Sequence, residues 1–177
     1  MKIKSIKEQL TEYFFLYPTV KLRVRQIERE VNIPLPSVIR YTQELKNESI
    51  LKSTEIANIV VYSADRTSAH FLMKKKVYNL QCLYDSGLIN FLKEELNNPL
   101  IIVFGSYSRG EDVEASDIDL YIEYPSEKKL HIEKYEKYMQ RKIHLLFYKN
   151  IYGIKNKELA NNIINGIVLN GYLEVFT

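Results

Sequence analysis

The chain has 177 residues, 46% of them hydrophobic with 14 Tyr and 7 Phe, and a formal net charge of +3. That is enough apolar side chain to bury a core in one large or two small domains, and it excludes wholesale disorder. The single cysteine, Cys82, excludes an internal disulfide and a cysteine-based zinc site, while the charged start MKIKSIKEQL and the lack of any apolar run near the roughly 20 residues a bilayer requires predict a soluble, cytoplasmic protein.

Over residues 5–16, Ile6, Leu10 and Phe14, with Tyr13 beside them, recur at helical spacing, and Pro18 closes the segment. Val24, Ile27 and Val31 predict a second helix over 23–31. A turn, Asn32-Ile33-Pro34-Leu35, leads to a third helix headed by Pro36 and Ser37. Val38, Thr42 and Leu45 face inward there, and Ser37, Arg40, Tyr41 and Glu44 outward. Two β-like runs follow, at 50–54 and 56–62, then a polar stretch through Arg66.

This order resembles a winged helix-turn-helix, expected over residues 1–73. In such a module the third helix enters the major groove of DNA, so Ser37, Arg40 and Tyr41 are the expected DNA-facing residues, with Arg66 on the wing. Charge points the same way. Residues 1–76 carry 14 Lys and Arg against 8 Asp and Glu, a balance of +6, whereas residues 77–177 carry 11 against 14, a balance of −3. A basic first part suits an anionic partner such as duplex DNA. The competing reading is a packing or dimerisation module, with the first helix and the connector that follows as candidate homodimer surfaces.

Residues 74–98 read as a helical connector with a break at Ser86-Gly87. Leu80, Leu83, Leu88, Phe91 and Leu92 give it an apolar stripe for packing, and Lys74-Lys75-Lys76 reads as a solvated face. From residue 99 to 177 the pattern alternates. Strands are expected at 100–104, 117–124 and 142–148, helices near 106–110, 126–140 and 156–168, and a short strand in the tail GYLEVF. The predicted class is α/β (α+β), a small mixed sheet with helices covering one side. Leu159, Ile163, Ile164 and Ile167 are expected to add to its core.

The segment IIVFGSYSRGEDVEASDIDLYIEY, residues 101–124, carries the chemistry. Alternate residues of a strand share a face, so Asp117 and Asp119 project side by side. Two carboxylates that close repel, and they hold station most readily around a hard cation such as Mg²⁺. The Gly105-Ser106 turn lets a phosphate approach backbone N–H groups. Together they suggest a nucleoside triphosphate with its metal.

Gly105, Ser106, Gly110, Ser116, Asp117, Asp119 and Leu120 match the signature of the DNA polymerase β-type nucleotidyltransferases, and the segment is most similar to the minimal nucleotidyltransferases. The resemblance implies transfer of a nucleoside monophosphate from an NTP, ATP for preference, to an acceptor hydroxyl. Asp117 and Asp119 would hold Mg²⁺ (or Mn²⁺), Gly105 and Ser106 would cradle the β- and γ-phosphates, Arg109 would add a cation and Ser116 would support the carboxylates. It also implies a HEPN-type protein partner as one acceptor. Glu111, Asp112 and Glu114 are expected on an exposed loop without a catalytic role.

The pattern departs from that family on the next strand. Most active members carry a third carboxylate where this chain has His144, and no Asp or Glu lies between Glu136 and Glu158. Imidazole suits Mg²⁺ poorly. His144 is therefore either a substituted general base, the mark of a site that binds nucleotide without efficient turnover, or a residue misaligned with the third position. The alternative to a transferase is a non-enzymatic, DNA-binding regulator that senses nucleotide or binds protein. His70 and His131 lie in polar surroundings and read as surface residues.

Overall fold

Residues 4–175 are described by the computed structural model, and the chain divides into two compact units, Met1–Lys75 and Lys76–Thr177. Each has its own logic. In the first, helix α1 (Ile6–Leu16) starts at a capping box in which Ser5 accepts from the Glu8 amide and the Glu8 carboxylate accepts from the Ser5 amide. It buries Leu10, Phe14 and Phe15. Helix α2 (Val24–Val31) buries Ile27 and ends at Asn32, whose left-handed backbone turns the chain. Helix α3 (Leu35–Asn47) carries Pro36 in its first turn, where a missing N–H costs nothing. It buries Val38, Thr42 and Leu45, as their spacing predicts, with the Thr42 hydroxyl donating to the Val38 carbonyl at 2.8 Å.

A two-stranded antiparallel hairpin follows, β1 (Leu51–Ile56) with β2 (Ile59–Ala64). Its turn is Ala57-Asn58, both at positive φ (49° and 59°), the twist that joins two strands through two residues. The strands therefore run two residues further than the sequence reading had them. Arg66 lies in the turn after β2 and not on the hairpin, because β2 stops at Ala64. The hairpin tip instead carries Glu55, Ile56, Ala57 and Asn58.

Helix α4 (Ala69–Asp85) breaks at Ser86-Gly87, and α5 (Leu88–Glu95) follows; Gly87 sits at φ 80°, a conformation open to glycine. Lys75, inside the basic run, is buried, so that run is not wholly a solvated face. In the second unit a four-stranded mixed sheet has the order β5-β4-β3-β6. The central strand β3 (Ile101–Phe104) pairs antiparallel with β4 (Ile118–Glu123) and with β6 (Ile167–Asn170), while β4 and β5 (Ile143–Tyr148) run parallel. Helix α6 (Gly105–Arg109) follows β3, α7 (Glu133–Met139) connects β4 to β5, and a 3-10 helix (Ile151–Gly153) and α8 (Lys157–Ile164) lie between β5 and β6.

Both faces of the sheet are covered, where helices on one side alone were expected. On one face Ile101, Val103, Ile118, Leu120 and Ile122 pack against Leu83, Leu88, Leu92, Tyr135 and Met139; the connector's apolar stripe thus joins the core of this unit. On the other, Ile102, Phe104 and Tyr121 meet Ile151, Ile154 and Ile163, because the chain after β5 returns beneath the sheet. Three segments differ from expectation. Helix α7 starts at Glu133 and not 126, since the buried positions that give a helical stripe begin only at Tyr135. Helix α8 stops at Ile164, which is 41% exposed and not in the core. The last strand is then 167–170 instead of the tail, and Ile167 belongs to it; residues 176 and 177 lie outside the described ones. Gly166 makes that turn: a Cβ there would sit 2.7 Å from the Val103 carbonyl oxygen and 2.9 Å from that of Ile163.

Candidate functional site

The C-terminal end of β3 and the N-terminal ends of β4 and β5 meet at one corner of the sheet. Antiparallel pairing of β3 with β4 sets Phe104 opposite Asp119, so Gly105, the next residue, lies against that carboxylate. Gly105 has φ 73°, and a Cβ on it would come within 3.1 Å of Asp119 Oδ2. Only glycine combines that backbone with that approach at little cost. Gly105 begins α6, and Ser108 Oγ donates to its carbonyl at 2.8 Å, closing the first turn.

Parallel pairing of β4 with β5 sets His144 directly beside Asp119. The imidazole spans both acids, with Nδ1 3.5 Å from Asp119 Oδ1 and Nε2 3.6 Å from Asp117 Oδ2. Its side chain is 59% exposed, so this corner opens to solvent. Burial holds the Asp119 carboxyl above the usual carboxylate range; the adjoining His144 draws it back, and Asp117 pushes it further up.

Of the remaining predicted residues, Ser116 accepts a hydrogen bond at Oγ from the Val113 amide at 2.9 Å and thereby closes the loop that delivers Asp117 to β4. Arg109 is exposed, and its Nε donates to Glu111 at 2.6 Å, which turns its charge toward that loop. Asp112 is only 1% exposed, contrary to the exposed position expected for it: its carboxylate accepts from Asn79 Nδ2 at 2.7 Å and faces Arg141 Nη2 at 3.8 Å. Nothing local in the sequence marks Asp112, which stands between Glu111 and Glu114, as buried; its partners lie about 30 residues away on either side.

Beside Asp117 opens a cleft of about 490 Å³, lined among others by Ser116, Glu136, Gln140, Arg141 and Lys142. Glu136 ties the base of β5 by accepting from the Lys142 ammonium at 2.9 Å and from the Ile143 amide at 3.1 Å, and these two bonds hold its carboxyl below the usual range. Arg141, the cleft's inner cation, is 7% exposed.

The donor set bears on which ion could stand here. Two adjacent carboxylates, Asp119 on β4 and Asp117 just before it, one of them destabilised by burial beside the other, are relieved by a divalent cation. Carboxylates suit Mg²⁺ and Mn²⁺ alike, whereas the adjoining imidazole is a poor ligand for Mg²⁺. Among the described residues no three His, Cys, Asp or Glu side chains form a preassembled metal cage, so the carboxylate pair is the part that fits such an ion.

In the first unit the face of α3 that points outward carries Ile39, Arg40 and Gln43. Ser37 and Tyr41, expected outside, are half-buried, because Val38 and Thr42 beside them fill the core. The Arg40 guanidinium donates to Glu44 at 2.8 Å and lies 5.1 Å from the centre of the Tyr41 ring. Glu44 also meets the Lys7 ammonium at 3.2 Å. His70 and His131 are exposed, and neither belongs to a group of three or more metal-ligating side chains among the described residues. No helix among the described residues is long and apolar enough to cross a membrane.

Residues 86–170, from the break before α5 to the end of β6, match the family model described as a nucleotidyltransferase domain. No curated protein and no solved structure matches the chain.

Proposed function

We propose that the second unit transfers a nucleoside monophosphate from an NTP, with ATP the first substrate to test, to an acceptor hydroxyl in the presence of Mg²⁺ or Mn²⁺. One observation carries the reading: a left-handed glycine packed against Asp119, the Asp117 carboxylate beside it and an imidazole 3.5–3.6 Å from both acids converge on the open corner of a nucleotidyltransferase domain. Asp117 and Asp119 would hold the cation. That cation supplies charge neutralisation at the triphosphate oxygens and orients them.

The chain's own residues do the rest. Gly105, lacking a side chain, lets the triphosphate approach the backbone, and the Ser106 N–H and hydroxyl donate to its oxygens. Arg109 can swing from Glu111 to the phosphate tail. Ser116 keeps Asp117 in register through the Val113 amide. The acceptor oxygen attacks the α-phosphorus, the bond from that phosphorus to the bridging oxygen breaks, and pyrophosphate leaves. A neutral His144 can take the acceptor's proton, but it adds no negative ligand, so turnover is slower than with a third carboxylate. A HEPN-type protein is one acceptor the sequence resemblance puts forward.

A second reading rests on the imidazole lying against both carboxylates. A domain of that kind would bind metal and nucleotide and report their presence without turning the nucleotide over. Incubating the protein with each labelled NTP and Mg²⁺ or Mn²⁺ separates the two. Labelled product or released pyrophosphate, lost in Asp117→Asn/Asp119→Asn, supports transfer. Metal-dependent binding without release supports sensing. Nucleotide affinity unchanged in the double variant removes both.

For the first unit, we read the basic balance and the helix-helix-helix-hairpin order as a duplex-DNA module, with Arg40 on the outer face of α3 and Arg66, in the turn after β2, as a backbone contact. Its partner in the alternative is a second copy of the chain.

A further inference from the structure

A buried polar cluster lies behind the candidate site. Asn79, on α4 and 2% exposed, donates its side-chain amide to two acceptors: the Tyr107 carbonyl at 2.9 Å and Asp112 Oδ1 at 2.7 Å. Tyr107 returns the contact, its hydroxyl donating to the Asn79 carbonyl at 3.3 Å. The second oxygen of Asp112 faces the Arg141 guanidinium at 3.8 Å, and the same guanidinium donates to the Gln140 carbonyl at 2.9 Å. Asn79, Tyr107, Asp112 and Arg141 are all buried.

Their places along the chain give the cluster its meaning. Tyr107 belongs to α6, two residues after Gly105. Asp112 lies in the loop that leads to β4, five residues before Asp117. Arg141 lies in the turn that leads to β5, three residues before His144. Each of the three segments that present a site residue thus meets the same cluster, α6 and the loop through the hydrogen bonds of Asn79 and the turn through the 3.8 Å approach of Arg141 to Asp112. The turn and the loop are joined further where the Ile118 amide donates to the Lys142 carbonyl at 2.8 Å. A buried ion pair is a poor source of net stability, because desolvation offsets its attraction. A stability role could be filled by apolar side chains; holding three segments at fixed spacing requires directional partners.

We propose that Asn79, Asp112 and Arg141 are positioning residues that set the spacing of Gly105-Ser106, Asp117 and His144. The inference rests on the site assignment of the proposed function; Asn79 and Asp112 are buried away from the cleft beside Asp117, which Arg141 also lines.

The test uses the full chain and a readout that does not depend on catalysis. There are 3 histidines, so the His144 ring resonance is identified in a proton NMR spectrum by its loss in His144→Ala. In Asp112→Asn and Arg141→Gln the His144 signal should move while those of His70 and His131 stay. Mn²⁺-dependent ATP affinity should fall about tenfold or more, as when the partners that orient metal ligands are removed. Arg141→Lys, which keeps the cation, should restore most of both. A folded Asp112→Asn protein whose His144 signal coincides with wild type would overturn the proposal, since a purely stabilising pair lowers the melting temperature without moving that ring.

If Asp112→Asn does not fold, Asn79→Ala removes only the two amide bonds and carries the same expectation; an unmoved signal there overturns it equally. Should the His144 signal move in a protein whose wild type binds no nucleotide, the transferase reading falls and the positioning role stands.

Discussion

The two units differ in where most of their paired charged groups lie, although the first also buries Thr42, Ser63 and Lys75. In the first, charged side chains lie mainly at the surface and pair there, as Lys7 does with Glu44 and Glu48 and Arg40 with Glu44. In the second, Asn79, Ser108, Asp112 and Arg141 are buried and hydrogen-bonded among backbone and side-chain partners. Exposed pairs contribute little to stability and rearrange readily, whereas buried directional bonds fix geometry. The difference teaches where each unit's work would be done. A surface that exchanges its own ion pairs for phosphate contacts suits the first, and a corner braced from behind suits the second.

That contrast breaks most sharply at Gly166. A methyl group there meets two backbone oxygens and Ile102 Cγ2 at 2.6–2.9 Å, and the oxygens, of Val103 and Ile163, cannot withdraw without moving the backbone of β3 or of α8. Gly166→Ala should cost roughly 3 kcal/mol by chemical denaturation. A loss below about 1 kcal/mol would mean that the second unit tolerates internal change as freely as a surface does.

Gly105→Ala is milder for the fold and harsher for the site. The left-handed backbone should cost about 1–2 kcal/mol, and Asp119 Oδ2, 3.1 Å from the new methyl group, must shift. Metal-dependent nucleotide affinity, measured by calorimetry, should drop about tenfold. Equal affinity in a destabilised variant would separate Gly105 from the site.

His144→Asp sharpens the comparison from the other direction. A third carboxylate beside Asp117 and Asp119 should strengthen Mg²⁺ binding about tenfold and raise transfer above wild type. Robust wild-type transfer, lost in His144→Ala and not increased in His144→Asp, would identify the imidazole as a working base instead.

The smallest effect belongs to the first unit. Duplex DNA binding should weaken as salt rises, and Arg40→Ala should reduce the slope of log affinity against log salt by about one, because one phosphate contact fewer releases counterions. A gel shift with no affinity for any duplex at low salt would leave the unit as a protein-binding module.

Much of this was legible from residue spacing. The carboxylates could be set on one face of a strand because alternation is local, and the Gly105-Ser106 turn because an apolar run ends there. The inward side of α3 was equally readable: Val38, Thr42 and Leu45 obey helical periodicity and are buried. What escaped depends on distance along the chain. Asp112 looks like its acidic neighbours until Asn79 and Arg141 come to it. The strand at 167–170 was hidden inside an apolar helical pattern; the helix ends at Ile164, and the chain then passes through Gly166, where a side chain would meet the backbone oxygens of Val103 and Ile163. The reversal of the hairpin at Ala57-Asn58 was hidden because a turn without glycine gives no sign of where the strands change direction.

That turn has a kinetic consequence. Ala57 holds a left-handed backbone in which its Cβ crowds the carbonyl oxygen, at a cost of about 1–2 kcal/mol. The strain is borne by a ribbon of just two strands, the least self-sufficient kind of sheet. Local opening of the tip is correspondingly cheap, so amides near Ile56 and Ile59 would trade their protons with water long before those of the buried central strand β3, and the hairpin would be the first part of its unit to loosen on warming.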